Sequence, residues 1–313
     1  MNLIMHIGTP KTGTTTIQKM LFENKVALKS NGFHFLQCAG LKNNRALPAC
    51  CVNDRRKDDF FTKRGIADRE GRLRFREKVL SQFRSELASL GDDIHTVIVS
   101  SEQFSERLKS GAEVERFYDV VSPYFSNIKI LCWLREQSEM AGSFYSTALR
   151  SGGTVCFDDF LEKCRPDNQR YNYYEMLNRW SDVFGIPCVE ARIFSRDAFC
   201  GGDLICDFIS CVSLDLLQVI DRNISSKNTS INVAGQRLLL VINRCFGGWL
   251  KKYRSRKRLI VRAIDSRFSG RGFRPSVADY QRIYDSFYES NRLLNEKYFR
   301  REGPLFEFSP PKS

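Results

Sequence analysis

The sequence predicts an α/β protein: a central parallel sheet of about five strands flanked by helices, with a helical C-terminal part. Three observations predict it. Through the first half of the chain, short apolar runs alternate with helical patterns, the order expected when each strand is followed by a crossover helix. The runs at residues 3–7 and 128–134 are almost wholly apolar and read as buried strands, and the β-branched run at 95–100 (HTVIVS) reads as a strong strand. Beyond about residue 200 the spacing of apolar residues is mainly helical.

The elements follow in order. After the strand at 3–7, a helix from about Thr14 carries Ile17, Met20, Leu21, Asn24 and Leu28 on one face, and Gly32 ends the turn behind it. Residues 33–36 read as a second short strand. Residues 37–68, mixed in charge and broken by Gly, read as a long loop or insertion. A helix over about 70–90 turns Val79, Leu80, Phe83, Leu87 and Leu90 inward and is broken by Gly91-Asp92-Asp93. Then come a strand at 95–100, a helix at 112–125 and the strand at 128–134. The next helix holds Ala141, Phe144, Tyr145, Ala148 and Leu149 and stops at Gly152-Gly153. A helix at 171–184 leads to a fifth strand at 189–194.

A chain of 313 residues can bury one large core or two modest ones. No repeat, low-complexity tract or linker interrupts it, so the expectation is a single domain over 1–313. Apolar content of 42% and charged content of 27% exclude general disorder. The net charge of +13 favours anionic partners, namely nucleotides, acidic sugars, nucleic acid or anionic lipid, without choosing among them. The eleven cysteines include no CxxC pair, which argues against a zinc ribbon or a thioredoxin-type motif. They read as small buried residues in a reducing compartment. The apolar run at 1–7 lacks a basic leader, and no apolar stretch approaches the roughly 18 residues of a membrane span. The expectation is a cytoplasmic protein, bound at most to the inner face of a membrane.

The chemistry is concentrated where the first strand runs into Gly8-Thr9-Pro10-Lys11-Thr12-Gly13-Thr14-Thr15 and a helix begins. A strand, a glycine turn and a helix N-terminus make an anion site, because the first N–H groups of the helix are free and its dipole favours negative charge. Gly13 permits close backbone approach, Thr14 and Thr15 add hydroxyls, and Lys11 adds a mobile positive charge. The spacing of Gly8 and Gly13 is that of GxxxxGK[ST], but Thr14 stands where a nucleotide-triphosphatase loop needs lysine. The lysine instead lies two residues before the second glycine. In this the segment Pro10-Lys11-Thr12-Gly13-Thr14-Thr15 resembles the 5′-phosphosulfate loop of sulfotransferases that use 3′-phosphoadenosine 5′-phosphosulfate (PAPS).

The strand at 128–134 ends in Arg135, and Ser143 follows eight residues later. The pair is similar to the sulfotransferase 3′-phosphate site, in which a guanidinium and a hydroxyl hold the phosphate that ATP lacks. Asn228-Thr229-Ser230 and Tyr288-Glu289-Ser290-Asn291-Arg292 also look like bacterial carbohydrate sulfotransferases. The Arg-Lys-Gly segment of the cytosolic type has no clean match, and Arg271-Gly272 is the nearest candidate. The resemblance implies a P-loop-like sulfotransferase fold.

Transfer to a hydroxyl needs a base for the acceptor proton. Glu102 follows the strand at 95–100, at the carboxyl edge where α/β sheets bind ligands, and is the first choice. His34 is the alternative. The resemblance implies PAPS as sulfuryl donor. No metal is expected, because fixed donors hold the leaving group and the sequence offers no metal-ligand cluster. The basic stretch from Trp249 to Arg274, together with the lack of a signal or span, suggests a saccharide or glycolipid acceptor, which that stretch could hold if acidic, or through which the protein could contact an anionic membrane. No nucleic-acid motif accompanies that stretch, which disfavours nucleic acid. The competing readings are a P-loop small-molecule kinase and a non-catalytic polyanion-binding protein.

Overall fold

The computed structural model describes residues 1–224 and 230–309, with the side chains of residues 249–251 and 254 left out. The chain begins with β1 (Asn2–Gly8), α1 (Thr14–Glu23), α2 (Lys25–Ser30) and β2 (Phe33–Phe35). Next are α3 (Ala46–Cys51), α4 (Asp59–Thr62), α5 (Arg69–Ala88), β3 (Thr96–Ser100), α6 (Gln103–Arg107), α7 (Gly111–Val121) and β4 (Asn127–Leu134). They are followed by α8 (Gln137–Ser151), α9 (Phe157–Leu161), α10 (Tyr173–Phe184), β5 (Val189–Ile193) and α11 (Leu204–Val212). The chain then runs through α12 (Val233–Lys252), α13 (Arg254–Arg267) and α14 (Val277–Leu294). These form two compact units, one of residues 1–134 with 174–224, the other of residues 135–173 with the C-terminal part from 225.

The first unit holds the five-stranded sheet, parallel throughout, in the order β2-β3-β1-β4-β5. This is a P-loop-like α/β arrangement. The connection from β1 runs to β2 at one edge, whereas those from β3 and β4 run toward the other edge. Right-handed crossovers therefore distribute the helices over both faces. On one face Ile4, Ile98, Leu131 and Trp133 pack with Ile17, Met20 and Leu21 of α1 and Ile205 and Phe208 of α11. The pleat turns Leu3, Met5, Val97 and Val99 the other way. There Phe104, Phe117 and Trp180 of α6, α7 and α10 meet with ring centroids 4.8–6.4 Å apart. The connections change direction at β1, and beyond the carboxyl ends of the strands at such a point is where sheets of this kind bind ligands.

Two expectations change. The helix from Thr14 is two helices, because the Asn24 amide donates to the carbonyls of both Met20 and Asp221 and accepts from the Asp221 N–H. Residues 37–68 are not a bare loop: they contain α3 and α4, and Ala49, Phe60 and Phe61 form a small core with Phe75. Helices of six and four residues are too short to display a helical period, and charged residues 54–59 separate their apolar groups. The Arg72 guanidinium holds this segment by donating to the carbonyls of Asn53, Asp54 and Arg56.

The second unit is helical and built around α8. Gln236 of α12 donates to the Ser146 hydroxyl, and Asn243 donates to the carbonyls of Leu149 and Gly153 at 2.8 and 3.0 Å. Gln137 and Asn291 exchange side-chain hydrogen bonds between α8 and α14. Tyr145 meets Phe157, Phe160 and Phe273 edge-on, at 5.1, 5.4 and 6.1 Å. Gly152, at φ 101°, ends α8 in the left-handed conformation that glycine adopts without a Cβ clash. Asn228 and Thr229 lie outside the described residues, as do the side chains of Lys251 and Arg254. Among the described residues no helix is long and apolar enough to cross a membrane. All eleven cysteines, each among the described residues, are free thiols.

Candidate active site

The loop after β1 is shaped by two glycines with different neighbours. Gly8 has φ 106°, and a Cβ there would lie 3.1 Å from the Cα of Glu102 and 3.2 Å from the Ser105 hydroxyl. Gly13 has φ 71°, and its Cβ would lie 2.2 Å from a methyl of Leu204. Between them Thr9 donates both its N–H and its hydroxyl to the Trp133 carbonyl at 3.0 Å, which ties the loop to β4. Pro10 is buried, and the buried Thr12 hydroxyl closes the turn on the Thr9 carbonyl. Lys11 is half-buried with φ 67°, a left-handed conformation that costs a non-glycine residue about 1–2 kcal/mol. Strain of this kind concentrates at ligand-binding loops.

The α1 ladder starts at Gly13, whose carbonyl accepts from the N–H groups of Thr16 and Ile17 at 2.8 and 3.1 Å. The N–H groups of Thr14 and Thr15 therefore precede the ladder, at the positive end of the helix dipole. Thr14 is buried and Thr15 exposed. Backbone N–H groups, threonine hydroxyls and an ammonium are together a donor set suited to a phosphate.

Glu102 immediately precedes α6, directly behind Gly8, and its side chain makes no capping hydrogen bond to that helix. Gln18 of α1 donates to its Oε2 at 2.9 Å and Gln103 to its Oε1 at 3.3 Å, so the carboxylate is oriented by the helix that starts at the loop. The sequence reading missed Gln18. Its signal was a polar residue among Ile17, Met20 and Leu21 on a helix whose inward face is apolar, and it is 6% exposed.

His34 is not brought to this corner. It pairs in register with Val97, which pairs with Leu3, five residues before Gly8. That is about 16 Å down the strand direction and two strand spacings, about 10 Å, to the side. Its Nε2 is 2.7 Å from Glu86 Oε1. Burial pushes the Glu86 carboxyl up, but hydrogen bonds from His34, from Cys38 and from the backbone of Gln37 and Cys38 outweigh it and hold the group at about 2.

Arg135 and Ser143 belong to the helical unit. Arg135 precedes α8, its Nε 3.1 Å from Glu139 Oε2 and its carbonyl accepting from the Tyr173 hydroxyl at 2.7 Å. Glu136 caps α8 by accepting from the N–H groups of Ser138 and Glu139, both at 2.9 Å, while burial pushes its carboxyl above the usual range. Ser143 is half-buried on α8. Its neighbour Gly142 faces the Phe273 carbonyl, which would lie 3.4 Å from a Cβ. Gln236 fixes Phe273 by accepting its N–H at 2.8 Å. Residues 271–274 thus lie against α8 next to Ser143, with Arg271 and Arg274 exposed.

Beneath the loop, His6 of β1 is fully buried. Burial pushes its imidazole down to about 3, and its Nδ1 is 2.8 Å from the Ser100 hydroxyl. Asp207 of α11 accepts from Trp133 at 2.8 Å, from Arg192 at 2.6 and 2.9 Å and from the Cys200 N–H at 3.0 Å. These groups stiffen the strand ends that carry the loop.

No family model matches the sequence. Over 115 residues, 37% of its length, the chain is 28% identical to an uncharacterized protein of Archaeoglobus fulgidus, and it spans 30% of that relative's length. The structure is similar over 94% of each chain to the crystal structure of a sulfotransferase from Alicyclobacillus acidocaldarius, at 14% identity and a TM-score of 0.47.

Proposed function

We propose that this protein is a sulfotransferase that moves a sulfuryl group from PAPS to a hydroxyl of a saccharide or glycolipid. One observation carries the reading: a strained lysine loop opening the N-terminus of α1, with the carboxylate of Glu102 packed behind its first glycine and tied to α1 through Gln18. Backbone N–H groups of residues 12–15, with Lys11, would hold the 5′-phosphate and steady the charge that grows on its departing oxygen. Arg135 and Ser143 would hold the 3′-phosphate. The seating of residues 271–274 beside Ser143 supports Arg271 as a further cationic contact. When bound, the donor supplies the activated sulfuryl group. The acceptor oxygen bonds to sulfur as the bond from sulfur to the phosphate oxygen breaks, and Glu102 takes the acceptor proton. The products are a sulfate ester and adenosine 3′,5′-bisphosphate.

Calorimetry with adenosine 3′,5′-bisphosphate, AMP and ATP tests this reading. The bisphosphate should bind more tightly than AMP by about 10- to 150-fold, the worth of a charge-assisted contact. Equal affinities remove the 3′-phosphate site, and a preference for ATP favours a kinase.

A further inference from the structure

We propose that the outer face of α12 and α13 docks on the surface of an anionic lipid bilayer. The inference stands on that surface alone and is independent of the sulfuryl-transfer reading. No acidic residue occurs between Asp221 and Asp265, and residues 233–264 carry nine lysines and arginines. The two helices pack on each other. Their inner sides are occupied, since Leu239 and Ile264 are buried and Asn243 is hydrogen-bonded to the end of α8.

The outer side is not polar in the way a solvated helix face should be. Val241, Phe246 and Leu259 are 57%, 58% and 63% exposed, so more than half of each apolar side chain meets water. Leu238, Val241 and Cys245 recur at the spacing of one helical stripe and are all exposed. On α13, Leu259 has the exposed Arg256 and Arg262 three residues to either side, on the same face.

The mixture selects the partner. An acidic polysaccharide or nucleic acid would neutralise the arginines but leave Val241, Phe246 and Leu259 in water. A second copy joined through the same face would set two strongly cationic surfaces against each other, because a two-fold interface is self-complementary. An anionic bilayer satisfies both features: its headgroups attract each cation, and its acyl boundary takes the apolar side chains.

The test is co-sedimentation of the full chain with vesicles of phosphatidylcholine alone and of phosphatidylcholine mixed with phosphatidylglycerol. The protein should pellet with the mixed vesicles only, and about 1 M salt, which shortens the screening length to about 3 Å, should weaken that binding without any mutation. Reversing Arg256, Arg258 and Arg262 to Glu together should lower partitioning about a hundredfold. Replacing Val241, Phe246 and Leu259 with Ser should lower it about tenfold or more at unchanged charge. Thermal melting and adenosine 3′,5′-bisphosphate affinity should stay at wild-type values in both variants. Failure of the wild-type protein to pellet with anionic vesicles overturns the proposal. So does a serine variant that still pellets like wild type, which marks a polyanion surface. A wild-type dimer in solution that the serine variant dissolves overturns it too, since the face would then be a protein interface.

Discussion

Glu86 and Glu102 are both half-buried carboxylates on the β2-β3-β1 side of the sheet, and their surroundings differ in one decisive respect. Glu86 is saturated: it receives His34 at 2.7 Å, the Gln37 N–H at 2.9 Å and the Cys38 N–H at 2.6 Å, and it is held at about 2. Glu102 receives two neutral side-chain amides, at 2.9 and 3.3 Å, and stands behind the glycine that opens the lysine loop. A carboxylate whose acceptor sites are filled by fixed donors serves the fold. One that is oriented but not filled can still take a proton from a ligand. The contrast separates a structural pair from a candidate base more sharply than residue type does.

The largest effect should therefore fall on Glu102. Glu102→Gln keeps the shape and removes the basicity, so single-turnover transfer should fall by about 10²–10⁴ while donor affinity and melting temperature hold. A lower melting temperature with normal turnover per folded molecule would put Glu102 in the same class as Glu86 and erase the contrast.

Lys11→Ala comes next. Removing a donor from a site of developing negative charge typically costs about 10²–10³ in turnover. The loss should appear in kcat more than in nucleotide affinity, because in the proposed transfer the charge on the departing oxygen grows in the transition state. Stopped-flow transfer combined with nucleotide titration reads the two separately, and wild-type turnover would mean that the loop does other work.

Much of this was legible in the chain and some was not, for reasons that particular residues show. The strand expected at 128–134 is Asn127–Leu134, and the helix expected at 70–90 is Arg69–Ala88, because a run of apolar residues or five turns of helix carries its own period. Glu102 could be placed at a carboxyl edge because it follows the strand Thr96–Ser100 closely. Its partner Gln18 could not be found, since 84 residues separate them and only the β3-β1 pairing brings them together. His34 had the same kind of local signal as Glu102, a polar residue at a short strand. What removes it from the loop is register, the pairing of His34 with Val97 and of Val97 with Leu3, which no local pattern records.

Gln18 sharpens the comparison at a smaller scale. Gln18→Met keeps the volume and removes the amide that orients Glu102, so kcat should fall about tenfold, well short of the loss from Glu102→Gln. As a positioning residue it should leave the acceptor KM and the melting temperature unchanged. A lowered melting temperature with kcat per folded molecule at the wild-type value would make Gln18 a packing residue only.

The smallest effect on turnover should come from the other carboxylate. Glu86→Gln and His34→Asn should leave transfer per folded molecule at the wild-type value, since the pair lies about 16 Å down the strands from Gly8. Their cost should appear in stability, with a pH dependence whose sign is set. The Glu86 carboxyl is lowered from 4.5 to about 2, so the unfolded chain binds its proton first as pH falls. Its stabilising contribution is full above 4.5 and is lost as pH drops toward 2. His6, lowered from 6.5 to about 3, also destabilises the fold, as pH falls from 6.5 toward 3. It does so equally in wild type and in Glu86→Gln, so it cancels in the difference. Urea unfolding of both proteins should therefore give a gap that is constant above pH 4.5 and closes toward pH 2. A gap independent of pH would mean that Glu86 contributes shape rather than charge, and a fall in turnover on changing His34 would move the base to the sheet edge.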